Sequence, residues 1–448
     1  MPRHTRREFV TVAGATLGGI AVGTQVTAAT SSDRFLVQTK GNRSLGGLEV
    51  VHEMEGVNVA VLRGSESDLK RSKAVKGYAP DIELELDEPA PSSDAPTFDA
   101  SDYEGQPGDF LQWDKADLNV PEAHEVTEGE GTRVSVIDSG VLETHPDLAG
   151  PLNLDLSRNF TDDGGDHNPV GGDDHGTHVA GIVAADNGGG IGVNGTAPKT
   201  DLVDCRVFSG PSATFADILA AVVYSANIGA DVANLSLGAY PIPRQGLGSF
   251  YGKVLNSTMT YANKEGTLLV IAAGNDSADL QHDKNLISLP NEGAQAVSVA
   301  ATGPIGYGWD ADGDEDDADL ASPPQSPAFY TNYGTNAITL GAPGGDADLS
   351  AIGTDVAWFN DLVFNTVFSY VDTDDDDEPN TQVPGYGWKA GTSMAAPNVA
   401  GAAALVKSAN PNYNANQVEA ALKRAASVPE GYDKTYYGAG YLNILDAL

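Results

Sequence analysis

After Trp113 the chain alternates between short runs that are apolar almost throughout and longer stretches that are polar, or apolar on one side only. The runs are "RVSVID", "DLVDCRVF", "VANLSL" and "LLVIAA", beginning at Arg133, Asp201, Val232 and Leu268. Unbroken apolarity, as opposed to alternation, predicts strands covered on both faces. Between the second and third runs Phe215, Ile218, Leu219, Val222, Val223 and Ala226 recur at helical spacing and predict an amphipathic helix over 215–227. Strands linked by helices imply right-handed crossovers and a parallel sheet with helices on both sides, an α/β fold of the three-layer, doubly wound kind. Functional groups in such a sheet gather at the carboxyl ends of the strands.

Upstream the pattern changes. Residues 33–86 read as strand, strand, short helix and strand in "DRFLVQT", "NVAVLRG", "SDLKRSKAV" and "DIELELD", a small α+β unit. Residues 88–109 turn to Pro, Ser, Asp and Gly without periodicity, a linker composition, and a cut there frees everything downstream. The N-terminus, "RHTRREFVTVAGATLGGIAVGTQVTAAT", sets Arg6 and Arg7 before a glycine-broken apolar stretch too short to span a membrane. It is similar to a twin-arginine export signal, with Ala28 and Ala29 offering a cleavage region.

The charge narrows the partners. Acidic residues number 63 against 25 basic ones, a formal charge of −38, which repels nucleic acid and anionic membranes. Hydrophobic residues make up 41% of the chain, too many for a disordered one. Self-repulsion of this size is well screened only near 1 M salt, where the Debye length falls to about 3 Å. A halophilic protein is the expectation. The single cysteine, Cys205, excludes an intrachain disulfide, and its apolar run predicts a buried thiol.

Polar residues break the apolar pattern in a few places. Asp138 closes "RVSVID" ahead of a Ser-Gly turn, Asn234 and Ser236 lie in "VANLSLG", and Asn275 follows "LLVIAAG". "DDHGTHVAGIVAA" and "GTSMAAPNVAG" each set a polar residue before a helix of small residues. A buried carboxylate such as Asp138 needs a hydrogen-bonded partner, and an imidazole suits it; His175, beside Gly176 at a helix start, stands apart from the other histidines. A serine hydroxyl needs a base, most often His, oriented by a third group. Ser393 at a helix start meets unpaired backbone N–H groups and the positive dipole end, which favour developing negative charge. Pro397 has no N–H to bond the Ser393 carbonyl, which suits a place in the first turn. On its own segment Ser393 reads first as a helix N-cap. A metal reading of His175, His178 and Asp173 or Asp174 lacks a third spaced His or Cys.

The order Asp138, His175, Asn275, Ser393 and the segments "VSVIDSGV", "DDHGTHVAGIVAA", "AAGN" and "GTSMAAPNVAG" resemble the signature segments of the subtilisin-like serine proteases. The similarity runs from Gln112 to Leu448, and leader and charge together point to the haloarchaeal, halolysin-like secreted type. The resemblance implies a subtilisin-like sheet preceded by a ferredoxin-like pro-domain. It implies that Ser393 attacks the peptide carbonyl, that His175 shuttles the proton, and that Asp138 fixes the imidazole tautomer. Asn275 and the Ser393 N–H would bind the oxyanion. Ser236, Leu237 and Gly238 would face Ala272, Ala273 and Gly274 across the specificity pocket, with Ser288 near its base and a substrate strand alongside. Structural Ca2+ would sit on Asp147, Asn187 and the carbonyls of Ile191 and Val193. The implied organisation is signal 1–30, inhibitory pro-segment 31–88, acidic linker with the processing site 89–109 and peptidase domain 110–448. The implied partners are protein or peptide substrates and the chain's own pro-segment, with no nucleic acid, no membrane after signal cleavage, and a monomeric enzyme.

Two acidic runs, 309–321 and 371–380, read as solvated loops; the first also has the alternating carboxylates of a calcium loop, without its closing Glu. Residues 358–388 form an insertion relative to a minimal family member, and their apolar "WFNDLVFNTVFSYV" is placed to rim the cleft. Two other functions fit less of the sequence. A maturation protease with narrow substrates would share the chemistry, and a non-catalytic binding protein would need one of the four chemical residues to be missing.

Overall fold

The computed structural model describes residues 29–448 except 42–44, 46–47, 86–87, 90–91, 93–94, 100–110, 188–191, 245–246, 284, 310–319 and 374–378. The export-signal reading therefore lies outside the described residues up to residue 28. Its last two residues, Ala29 and Thr30, open strand β1 (Ala29–Thr39) and pair with Glu83 and Ile82.

The N-terminal unit is an antiparallel sheet of β1, β2 (Glu49–Met54), β3 (Val59–Arg63) and β4 (Val75–Glu85), in the order β2-β3-β1-β4. Helix α1 (Glu66–Arg71) crosses between β3 and β4. The sequence reading ran this helix on to Val75. It stops at Arg71 because Ser72 is extended and its N–H closes back on Asp68 and Leu69. Strand β2 was not foreseen: its burial rises from exposed at Glu49 to buried only at Met54, so no alternation marks it.

The large unit is a parallel seven-stranded sheet. Its strands are β6 (Arg133–Asp138), β7 (Arg158–Asn159), β8 (Asp201–Arg206), β11 (Val232–Leu235), β13 (Leu268–Ala272), β15 (Ala296–Thr302) and β16 (Leu340–Pro343), in the order β16-β15-β13-β11-β6-β8-β7. The four apolar runs are its centre, buried almost throughout as continuous apolarity requires. Alternate residues feed two cores. Val134, Val136, Val232 and Val270 pack with helices α2 (His175–Ala184) and α5 (Thr392–Ala409). Ile137, Cys205, Leu235 and Ile271 pack with α3 (Phe215–Asn227) and α4 (Leu247–Glu265) on the opposite face. The three layers are thus a direct result of strand pleating.

Two smaller sheets matter for the site. Strand β4 continues across the boundary between the units: Glu83–Glu85 pair antiparallel with β10 (Ser212–Thr214), which pairs with β9 (Phe208–Ser209). The contact is charged as well, since Arg34 bonds Asp81, Asp162 and Asp217, and Asp81 caps the N–H of Ala216 at the start of α3. The insertion forms a hairpin of β17 (Val363–Val371) and β18 (Thr381–Lys389), and the linker adds β5 (Thr97–Asp99) to the β18 edge. Its aromatic residues turn inward: Trp358, Phe359, Phe364 and Trp388 are buried, and the Trp113 indole N–H donates to Leu362. The hairpin braces α2 with this buried side, while Tyr370 stays exposed beside Gly172.

Candidate active site

Ser393 is the second residue of α5. Gly391 precedes the helix with φ +152°, a conformation open to glycine, and its N–H donates to Gly344. Pro397 stands in the second turn and not the first; lacking an N–H, it leaves the Ser393 carbonyl to the Ser236 hydroxyl at 2.7 Å. Asn234 Nδ2 donates to that Ser236 hydroxyl, and Ser393 Oγ donates to the Ser236 carbonyl at 3.2 Å. The N-cap reading fails, because Gly391 holds that place and no side chain caps the helix.

Asn275 Oδ1 accepts both the backbone N–H and the hydroxyl of Thr392, each at 2.9 Å. An amide with its oxygen tied down directs its NH2 the other way, so Asn275 is oriented as a donor. Ser393, Asn275, Ser236, Leu237, Gly238, Ala272, Gly274 and Ser288 line one pocket. Ala273 does not: the strand ends at Ala272, and Ala273 packs inward against Ala300 and Ile338.

His175 opens α2, and Asp138 ends β6 beside it. The His175 Nδ1–Asp138 Oδ1 distance is 2.7 Å with both side chains buried. Asp138 also accepts the Ser139 N–H, and Ser139 Oγ accepts that of Gly176, so turn and helix are locked together. His175 Nε2 is buried without a hydrogen bond, an unused site on the ring. Burial acts to lower the imidazole pKa, but Asp138, with Glu88, pushes it up to about 9. Asp173 lies beside the pair, raised to about 6 by burial. The alternative metal grouping does not form, since His178 Nε2 instead faces the Val363 carbonyl at 3.1 Å.

Comparison with known proteins gives the family. Residues 129–440 match the description of the Subtilase family (Peptidase_S8). Subtilisin Savinase of Lederbergia lenta is 31% identical over 335 residues, 74% of this chain and 97% of that protein. The chain belongs to the subtilase family. It is a serine endopeptidase, and subtilases act on peptide substrates. Thermitase of Thermoactinomyces vulgaris is 28% identical, covering 75% of this subtilase and 95% of thermitase. Halolysin of Haloferax mediterranei is 28% identical across the whole chain and 76% of its own length. In fold, an epidermin leader peptide processing serine protease from Staphylococcus aureus superposes with a TM-score of 0.69 over 92% of this chain and 97% of that one, at 19% identity.

The calcium reading of this subtilase meets a suitable environment in part. Asp147 is buried, its Oδ2 accepts the Val193 N–H at 2.8 Å, and its Oδ1 has no hydrogen-bond partner. A Cβ at Gly192 would collide with this carboxylate, so glycine keeps the loop against it. Burial, with Asp186 adding repulsion, pushes Asp147 up to about 6. An orphaned carboxylate oxygen near a second acid suits a hard cation, which takes six to eight oxygens. Asn187 adjoins Asp186 with φ +61°, Ile191 lies outside the described residues, and no three His, Cys, Asp or Glu side chains group as metal ligands among the described residues. Among those residues, too, no helix is long and apolar enough to cross a membrane.

Sequence reasoning missed three side chains of the site. Thr392 orients Asn275, and its signal was present in the Gly-Thr-Ser run. Lys389 and Glu88, which meet beside His175 at 3.0 Å, gave none.

Proposed function

We propose that this subtilase is a secreted, salt-adapted endopeptidase of the halolysin type, made with an export signal and an inhibitory pro-segment. The observation that carries the catalytic part is the convergence of Ser393, the oriented Asn275 and the pocket wall at one end of the sheet, with the His175–Asp138 pair at the neighbouring strand end. Ser393 Oγ leaves the Ser236 carbonyl and gives its proton to His175 Nε2 as it attacks the peptide carbonyl. Asp138 holds the ring by Nδ1 and offsets the imidazolium charge. Asn275 Nδ2 and the Ser393 N–H receive the oxyanion. His175 then returns the proton to the leaving amine, and water repeats the sequence on the acyl-enzyme.

The pro-segment inhibits by lying on the cleft. Pairing of Glu83–Glu85 with β10 and the place of Glu85 on the pocket lining support this reading. A first self-cut just upstream of Glu88, ahead of the 89–109 stretch suggested by composition, is the reading that the contact of Glu88 with Lys389 supports. Calcium, held by Asp147, Asn187 and the Val193 carbonyl, would neutralise buried charge where the loop after α2 folds back. The processed enzyme acts as a monomer on protein and peptide substrates.

Wild type and Ser393→Ala, purified in high salt with calcium, test the proposal with casein as substrate and intact mass as readout. The wild type is expected to hydrolyse casein and to lose its N-terminal unit, and Ser393→Ala to do neither. Casein hydrolysis retained by Ser393→Ala overturns the assignment.

A further inference from the structure

Glu88, where the pro-segment meets the linker, makes a charged contact at the site that the reaction does not require. Lys389 Nζ lies 3.0 Å from Glu88 Oε1 and 2.9 Å from Asp174 Oδ1. Lys389 is 9% exposed, ends β18 four residues before Ser393, and stands beside His175, whose pKa it acts to lower. Burial acts to lower the lysine's own pKa, and Glu88 and Asp174 outweigh it, so the ammonium stays charged. Burial acts to raise Glu88, yet Lys389 holds it below its ordinary value. The other ionisable ring facing Lys389 is His178, which burial first, and then Lys389, hold neutral.

The direction of the chain tells which side of the scissile bond this cation serves. Glu85 lines the pocket with Ser236, Gly238 and Ser393, where the acyl half of a substrate is held. Glu88, three residues on, has reached Lys389; Pro89 then rests near Gly391, and Ser92 Oγ accepts the Ala390 N–H at 3.0 Å. His175 is the group that hands a proton to the departing amine, so the neighbourhood of His175 beyond the pocket belongs to the leaving half. An ammonium has three donors, and among the described residues Asp174 alone remains to it once Glu88 departs.

We infer that Lys389 is a specificity-determining subsite on the leaving-group side, which takes the carboxylate of a Glu or Asp among the first two residues after the scissile bond. This inference rests on the endopeptidase reading above. Glu88 occupies the subsite in the unprocessed chain, and acidic protein substrates occupy it afterwards. A buried ammonium kept charged by a fixed Asp174 also excludes a lysine or arginine from the same place.

The test uses the processed enzyme and fluorescence-quenched peptides that share one acyl half and carry Glu, Gln or Lys at those two positions. Wild type should give kcat/KM about tenfold or more higher for Glu than for Lys, a difference of about 1.4 kcal/mol. Lys389→Glu should reverse the order, and Lys389→Met should bring the ratio near one, comparisons within a single enzyme that do not depend on its yield. Should neither variant fold, the wild type alone decides. With an ester that forms the same acyl-enzyme, the amide of Glu-Glu should capture the acyl group several-fold more often than the amide of Lys-Lys. Equal cleavage of the three peptides, or equal capture of the two amides, overturns the subsite while leaving the endopeptidase standing. Failure to cleave any peptide or casein brings down both.

Discussion

At the scale of single residues, His175 sets the pH behaviour. Its imidazole must be neutral to accept the Ser393 proton, and Asp138 and Glu88 push its pKa up to about 9 in the chain that retains the linker. A cut upstream of Glu88 leaves that residue on the new N-terminus, whose departure from the cleft takes its charge away from His175. The kcat/KM of the processed enzyme should therefore climb with pH through a single ionisation whose midpoint lies below that value, and Lys389→Met should move the midpoint upward, since Lys389 acts to lower it. A rate that is flat from pH 6 to 10 would remove His175 as the base. The same shift bears on stability with a definite sign. A histidine whose folded pKa exceeds its ordinary value of about 6.5 stabilises the fold fully below that value. The contribution is lost as pH rises toward about 9, so the uncleaved Ser393→Ala chain should unfold more readily across that interval.

At the scale of elements, the linker strand is the feature to test. If the first cut falls just upstream of Glu88, β5 stays with the enzyme, paired with Gly385–Gly387 of β18 and with its Phe98 ring 5.8 Å from Trp388. Phe98 is half-buried, so Phe98→Ala should cost about 1–2 kcal/mol, read as a lowered unfolding midpoint of Ser393→Ala in denaturant. No change would mean that β5 contributes nothing to the fold. What was legible beforehand follows from the same elements. Asp138, Asn275, His175 and Ser393 each interrupt or border an apolar run, where a polar group is costly enough to imply a role. Strand β15 escaped notice because "AVSVAAT" is mostly small residues, and Ala273 was misplaced because pleat parity ends with the strand at Ala272. Lys389 and Glu88 are 301 residues apart, and neither periodicity nor motif links two charges across that distance. The insertion was read as a rim because its apolarity was visible while the brace it forms against α2 was not.

At the scale of the molecule, charge decides the conditions under which these parts assemble. A formal −38 over 448 residues leaves most carboxylates without a cation. Several of the basic groups are committed to particular contacts: Arg34 joins pro-segment to peptidase, Arg206 holds Asp163, and Lys389 holds Glu88. Repulsion among the remaining acids opposes the compact state over a Debye length of about 10 Å at 0.1 M salt but only about 3 Å at 1 M. The unfolding temperature of Ser393→Ala, measured with calcium present throughout, should accordingly rise on the order of 10 °C between about 0.1 M and 2 M sodium chloride. Sucrose strengthens burial without screening charge, so it separates the two causes. A rise that sucrose at equal osmolarity reproduces would assign the effect to burial and overturn the electrostatic account. A rise confined to the salt series would tie the folded state to screening of its own surface.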